Sequence, residues 1–269
     1  MNKDLPSKGQ RPRFHSTEKR KTYSNLLIGM RPLMEAIQAG KEIDKIFMQK
    51  GLKGELFQQV RELANQNQIP IQMVPIEKLN GITKANHQGV LAFVSPIAFG
   101  NLSNIIADVF ESGETAKLIM LDGVTDVRNF GAICRSAECQ GFHAVIIPEK
   151  GSAQINEDAV KTSAGALFNI PVCRVGSLLK TVKDLQMSGI RVTACTEKTN
   201  DLIDSLDFDG PHCIVMGNEE TGISDEIIRI ADQLGKIYMT GKTSSLNVGV
   251  AAGIIMYELN RQRNLHSTI

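Results

Sequence analysis

The sequence predicts an α/β protein built on a parallel sheet covered on both faces, preceded by a smaller α/β unit. Three observations carry that expectation. Short apolar runs alternate with longer stretches of helical period along the chain. The runs of the second half are β-branched and nearly unbroken, as in strands buried on both faces. The length of 269 residues also exceeds the roughly 100 to 200 typical of one domain.

In chain order, residues 1–21 read as a disordered basic tail. The unit over 22–97 holds a helix at 31–40, a strand at 43–49 (IDKIFMQ), a helix at 54–67 and strands at 69–74 and 89–95. A linker follows over 98–115, with a helical connector near 101–112. The larger unit, 116–263, has strands at 117–122, 144–148, 172–175, 190–196, 212–217 and 236–239. Helices fall between them at 129–140, 155–167, 177–188, 224–234 and 246–262.

Composition narrows the class. Hydrophobic residues are 42% and charged residues 22%, close to ordinary soluble domains, so a disordered or collagen-like chain is excluded. No apolar run approaches the ~18 to 20 residues of a membrane span, and a membrane partner is not expected. The five cysteines are odd in number and never spaced as CxxC, which suits reduced, buried thiols in the cytoplasm and no structural metal. Charge is uneven: residues 1–22 carry a balance of +5 and the remainder −4. The basic start has no apolar core after it, unlike a secretory signal. A basic tail gains affinity for phosphate backbones by releasing counterions, which points to nucleic acid; a merely solubilising extension has the same composition.

Ligands of parallel sheets sit in loops beyond the carboxyl ends of the strands. Three such loops stand out. The first, LDGVTDVRNFGAICRSAE (121–138), enters a helix near Asn129, a good N-cap type, and Gly131 and Ala132 permit close approach to the first turn. Arg135 lies further in, either as a functional guanidinium among small residues or as a surface arginine paired with Glu138. The second, MGNEETGIS (216–224), combines Gly217 and Gly222, whose backbones reach angles closed to other residues, with Glu219, Glu220 and a capping Ser224. The third, MTGKTSSLNVGVAAG (239–253), invites a phosphate-loop reading through Gly241, Lys242 and Thr243. That pattern needs a glycine five positions earlier, where Lys236 stands, so nucleoside triphosphate hydrolysis is not expected. The small face Gly249, Ala251, Ala252, Gly253 calls for a ligand or a second helix packed against it.

Together, DGVTDVRNFGAICRSAE, IVMGNEETGIS and IYMTGKTSSLNVGVAAG resemble the three motifs of the SpoU/TrmH family of RNA ribose 2′-O-methyltransferases. The stretches LLIGMRPLMEAIQAGKEIDKIFM and HQGVLAF resemble that family's small ribosomal-protein-like substrate-binding domain, so the likeness covers about 22–262. It implies a SPOUT-type methyltransferase domain with a C-terminal trefoil knot, S-adenosyl-L-methionine as cofactor, a homodimer, and RNA as substrate. The two-domain layout is most similar to bacterial enzymes that methylate a guanosine ribose of 23S rRNA; a tRNA substrate and a non-catalytic RNA-binding protein on the same scaffold are the rival readings. The resemblance makes Arg135, Asn129, Glu219, Ser245 and Asn247 the catalytic set, and Gly217, Ile237, Leu246, Met239 and Thr196 the cofactor-binding set. Departures are Val127 and Tyr238 where proline is frequent and Gly249 where serine is frequent. Arg135 is either an unusual base or the donor that holds an RNA phosphate and stabilises a developing alkoxide.

Overall fold

The computed structural model describes residues 25–243 and 245–266; the basic tail expected over 1–21 lies outside the described residues. The first unit runs β1 (Leu26–Ile28), α1 (Met30–Gln38), β2 (Ile43–Gln49), α2 (Glu55–Gln66), β3 (Ile71–Val74), α3 (Ile76–Ile82) and β4 (Val90–Val94). Its strands lie in the order β1-β4-β2-β3, with β2 and β3 parallel and β4 antiparallel to both its neighbours. Alternation along β2 explains why both faces are covered. Ile46 and Met48 pack with Leu33 of α1 and Val60 and Ala64 of α2, whereas Phe47 packs with Phe93 of β4 and Leu79 of α3.

The second sheet begins with β5 (Phe99–Gly100), two residues from the stretch read as a linker, followed by α4 (Leu102–Glu111) and β6 (Lys117–Asp122). Next come α5 (Val127–Cys139), β7 (Ala144–Pro148), α6 (Glu157–Thr162), β8 (Val172–Val175), α7 (Leu178–Met187) and β9 (Arg191–Cys195). The chain ends with β10 (His212–Gly217), α8 (Asp225–Ile230), β11 (Gln233–Gly235) and α9 (Val248–His266). The strand order is β11-β9-β10-β6-β7-β8-β5, and all the pairings are parallel. Side chains of β6 divide between two cores. Ile119 and Leu121 join Phe130 and Ile133 of α5 and Met256 and Leu259 of α9; Leu118 and Met120 join Val182 and Leu185 of α7 and Ile227 of α8. Burial on both faces is the physical reason these strands lack polar alternation.

Four local expectations are corrected. The last strand lies at Gln233–Gly235 rather than 236–239, because Lys236 is drawn into a bridge with Leu202 and donates its N–H to Asp201. The helix before it stops at Ile230, and Asp232 turns to accept from the Val192 N–H. The helix expected over 155–167 breaks at Thr162, since Ala164 and Gly165 adopt positive φ of 50° and 86°. Four cysteines are buried or half-buried, but Cys139 is exposed at the end of α5; all five are free thiols. Burial pushes the Cys173 and Cys195 thiols up to about 12, which disfavours the reactive thiolate.

Strand order reverses where β6 and β10 lie side by side: the chain leaves β6 toward β7 on one side and leaves β10 toward the β9 and β11 edge on the other. Loops at such a switch point diverge and open a crevice.

Candidate active site

The loop after β6 starts α5 with a cap that the sequence reading misplaced. Asp126, not Asn129, occupies the N-cap, and its Oδ1 accepts from the N–H groups of Arg128 and Asn129 at 2.8 and 2.9 Å. Aspartate satisfies the orphan helix donors as well as asparagine does, and this leaves the Asn129 side chain free for longer-range contacts. Gly131 is approached by Thr162 of α6: a Cβ there would lie 2.0 Å from Thr162 Oγ1. What comes close is therefore a neighbouring helix and not a ligand.

The loop after β10 folds back on itself through paired backbone hydrogen bonds between Asn218 and Gly222. Gly217 is needed for space and not for angle, since a Cβ would lie 2.2 Å from the Gly222 carbonyl carbon, whereas Gly222 itself has φ of 71°. Asn218, which the sequence reading passed over, ties the first two loops together. Its Nδ2 donates to Gly123 O at 2.7 Å, and its Oδ1 accepts from the Glu220 and Thr221 N–H groups. The signal was available: asparagine accepting from the backbone two residues on is a turn-forming pattern. Ser224 sits at the N-cap of α8 without a side-chain cap bond, and its N–H donates to Asp122 Oδ2.

Asn247 supplies the third loop. Its Oδ1 accepts from the Gly249 and Val250 N–H groups at the start of α9, so its Nδ2 must point away from the helix. That amide donates to Asn129 Oδ1 and to Glu219 Oε1, both at 2.9 Å, while Asn129 Nδ2 donates to the same Glu219 oxygen at 2.7 Å. Three residues separated by 90 and 118 positions along the chain thus close one hydrogen-bonded joint. Asn247→Ala removes a cap and two amide bonds, and a loss of about 1–2 kcal/mol in unfolding free energy is expected from chemical denaturation.

Two cavities flank this joint. The smaller, about 170 Å³, is polar and lined by Thr125, Asp126, Asn129, Glu219 and Glu220 among others. The larger, about 390 Å³, contains all five residues assigned to the cofactor: Thr196, Gly217, Ile237, Met239 and Leu246. Ser245, Glu197 and Ala251 also line it. The small face of α9 divides its work. Ala252 is buried and Gly249 meets Ala132 of α5, which is helix packing, while Ala251 faces the cleft.

Arg135 is the exception. It is exposed on α5, lines neither cavity, and has no ion pair with Glu138 among those of the described residues. No group of three or more His, Cys, Asp or Glu among the described residues is placed to hold a metal, and no described helix is long and apolar enough to cross a membrane.

An all-parallel sheet with a polar joint and a ligand-sized cleft at its switch point has the architecture of α/β enzymes that bind a nucleotide-like cofactor at strand ends. Residues 116–257 match the family model described as SpoU rRNA Methylase family, and residues 26–99 match RNA 2′-O ribose methyltransferase substrate binding. The TrmH family tRNA/rRNA methyltransferase YacO of Bacillus subtilis is 34% identical over 239 residues, covering 88% of this chain and 96% of its own. A TrmH family tRNA/rRNA methyltransferase of Staphylococcus saprophyticus is 33% identical, with 89% and 96% covered. The SpoU methyltransferase AviRb of Streptomyces viridochromogenes, solved in complex with AdoMet, superposes with a TM-score of 0.56 at 27% identity, covering 88% of this chain and 90% of that one. The chain belongs to the SpoU/TrmH family of RNA methyltransferases.

Proposed function

We propose that this methyltransferase moves a methyl group from S-adenosyl-L-methionine to the ribose 2′-hydroxyl of a guanosine in 23S rRNA. The observation that carries the reading is the Asn129–Glu219–Asn247 joint standing between a polar cavity and a larger cleft of mixed lining. The cleft suits the cofactor chemically. Ile237, Met239 and Leu246 offer apolar contact for an adenine ring, and Glu197 and Thr196 offer polar partners for hydroxyl or ammonium groups. When bound, the cofactor supplies an already activated methyl carbon, so no metal is required.

The protein's own residues then have three tasks. Backbone around Gly217, Ile237 and Leu246 holds the cofactor, with Thr196 and Met239 beside it. Asn129, Ser245 and Asn247 orient the ribose, and Glu219 fixes both asparagine amides by accepting from each. Positioning of this kind lowers a barrier by several kcal/mol. Arg135 acts as a donor to the RNA phosphate and to the oxygen as its charge develops, because a guanidinium holds its proton and is poorly suited as a base.

The reading includes a homodimer. Val250, Ile254 and Tyr257 form an exposed apolar stripe at i, i+4 and i+7 on α9, the helix that packs on α5, and they are 53%, 38% and 60% exposed. Since Arg135 lies outside the cavities of its own chain, it serves the site across that interface. The reading also carries the trefoil knot within 116–263, RNA selection by 22–97, the connection through 98–115, and action in the cytoplasm.

Ribose methylations mapped across total RNA from cells with and without the gene are expected to differ by one mark in 23S rRNA. A lost tRNA mark instead moves the assignment to tRNA. No lost mark, together with no calorimetric binding of S-adenosylmethionine, leaves a non-catalytic RNA-binding protein.

A further inference from the structure

We propose that the cleft between the two domains is a second RNA-binding site, holding the sugar–phosphate of a nucleotide other than the one methylated. This rests on the assignment of RNA as substrate and adds a site that the three motifs do not contain. The cleft has a volume of about 180 Å³ and is lined by Asp44 and Lys45 from β2, by Glu149, Lys150 and Ser152 after β7, and by Arg174 from β8.

Its position follows from the sheet. Because all the strands are parallel, β7 and β8 end on the same edge as β6 and β10. The segment leaving β7 runs from the cleft to the active site: Lys150 and Ser152 line the former, and the next residue, Ala153, donates its N–H to Val124 O at 2.9 Å. Val124 lines the smaller cavity beside Asn129. Three residues of extended chain span at most about 11 Å. The cleft therefore lies a short distance from the joint, within reach of an RNA strand whose target sits there.

The chemistry of the lining fits a sugar–phosphate. Three cations stand against two carboxylates. The Arg174 charge is committed to Asp44, Nη2 to Oδ1 at 2.8 Å, and its guanidinium carbon lies 3.6 Å from the Phe99 ring centroid. Lys45 and Lys150 make no ion pair among those of the described residues. Lys45 is half-buried, and that burial lowers its pKa, a cost that a phosphate would offset.

The Arg174–Asp44 pair forms the floor of the cleft. Its side chains are only 9% and 2% exposed, and the Asp44 carboxylate also meets the Ile155 backbone. That leaves Lys45 and Lys150 as the charges available to a phosphate.

The test uses the full-length protein and an unmodified 23S rRNA transcript, with a tRNA transcript as the second probe. Lys45→Met keeps the aliphatic stem and Lys150→Ala removes an exposed charge, so the double variant should fold, as thermal unfolding will show. Its RNA affinity is expected to fall about tenfold and the slope of log K against log salt to become shallower by about 2, one per lost phosphate contact. Affinity for S-adenosylmethionine is expected to stay at the wild-type value. Ser152→Phe, which fills the cleft without changing its charge, should weaken RNA binding with the slope less affected. Wild-type RNA affinity and salt slope in all these variants, alongside an active wild-type enzyme, would overturn the cleft assignment alone. A wild-type enzyme that methylates neither RNA would overturn the functional reading, and the cleft with it.

Discussion

Arg135→Ala is expected to lower kcat by about 10²- to 10³-fold while S-adenosylmethionine binds as before. The size is that of removing one preorganised donor from a charge developing in the transition state. Cofactor binding is spared because Arg135 lines neither cavity of its own chain, so its loss leaves the cleft built from Thr196, Gly217 and Leu246 unchanged. A labelled-methyl assay and calorimetry on the same preparation separate the two effects. If Arg135 serves a partner's site, mixing Arg135→Ala with Asn247→Ala should restore part of the activity, because one site of the mixed dimer then has both residues. Full activity of Arg135→Ala alone would remove this residue from the mechanism.

The second large effect concerns the seam between the domains. Arg174→Met is expected to cost about 3–5 kcal/mol of unfolding free energy, because it strands the Asp44 carboxylate in a buried site. The pair is not a source of net stability at neutral pH. Burial raises the Asp44 pKa above its ordinary 3.8 despite Lys45 and Arg174, which pull it down. A carboxyl whose native pKa is raised favours the folded state most below about 3.8 and loses that contribution as pH rises through its native value. Asp44→Leu combined with Arg174→Met should therefore recover most of the loss in urea unfolding, since a buried ion pair replaced by apolar groups of similar volume is often neutral. The ion pair instead joins β2 to β8 across the seam and lines the cleft there. A double variant as unstable as Arg174→Met would refute that account.

Much of this is legible in the residues alone. The strands 117–122, 144–148, 172–175 and 212–217 fall where the apolar runs place them, because a strand buried on both faces cannot hide its composition. The loops were legible for a related reason: turn and cap residues have narrow physical roles, and Asn247 does begin α9. Errors came where two residues compete for one role. Asp126 took the cap assigned to Asn129, and Lys236 left its expected strand for Leu202.

By itself, then, the sequence determined the alternation of elements, the parallel sheet and the three loops that carry the family motifs, all of which are encoded by neighbours a few positions apart. Only the tertiary structure decided that Asn129, Glu219 and Asn247 share hydrogen bonds, that Asn218 joins two loops, and that Asp44 meets Arg174 across a domain seam. Those contacts span 28 to 130 residues. No local period records a contact at that separation, because it depends on strand order and helix packing settled by the whole chain.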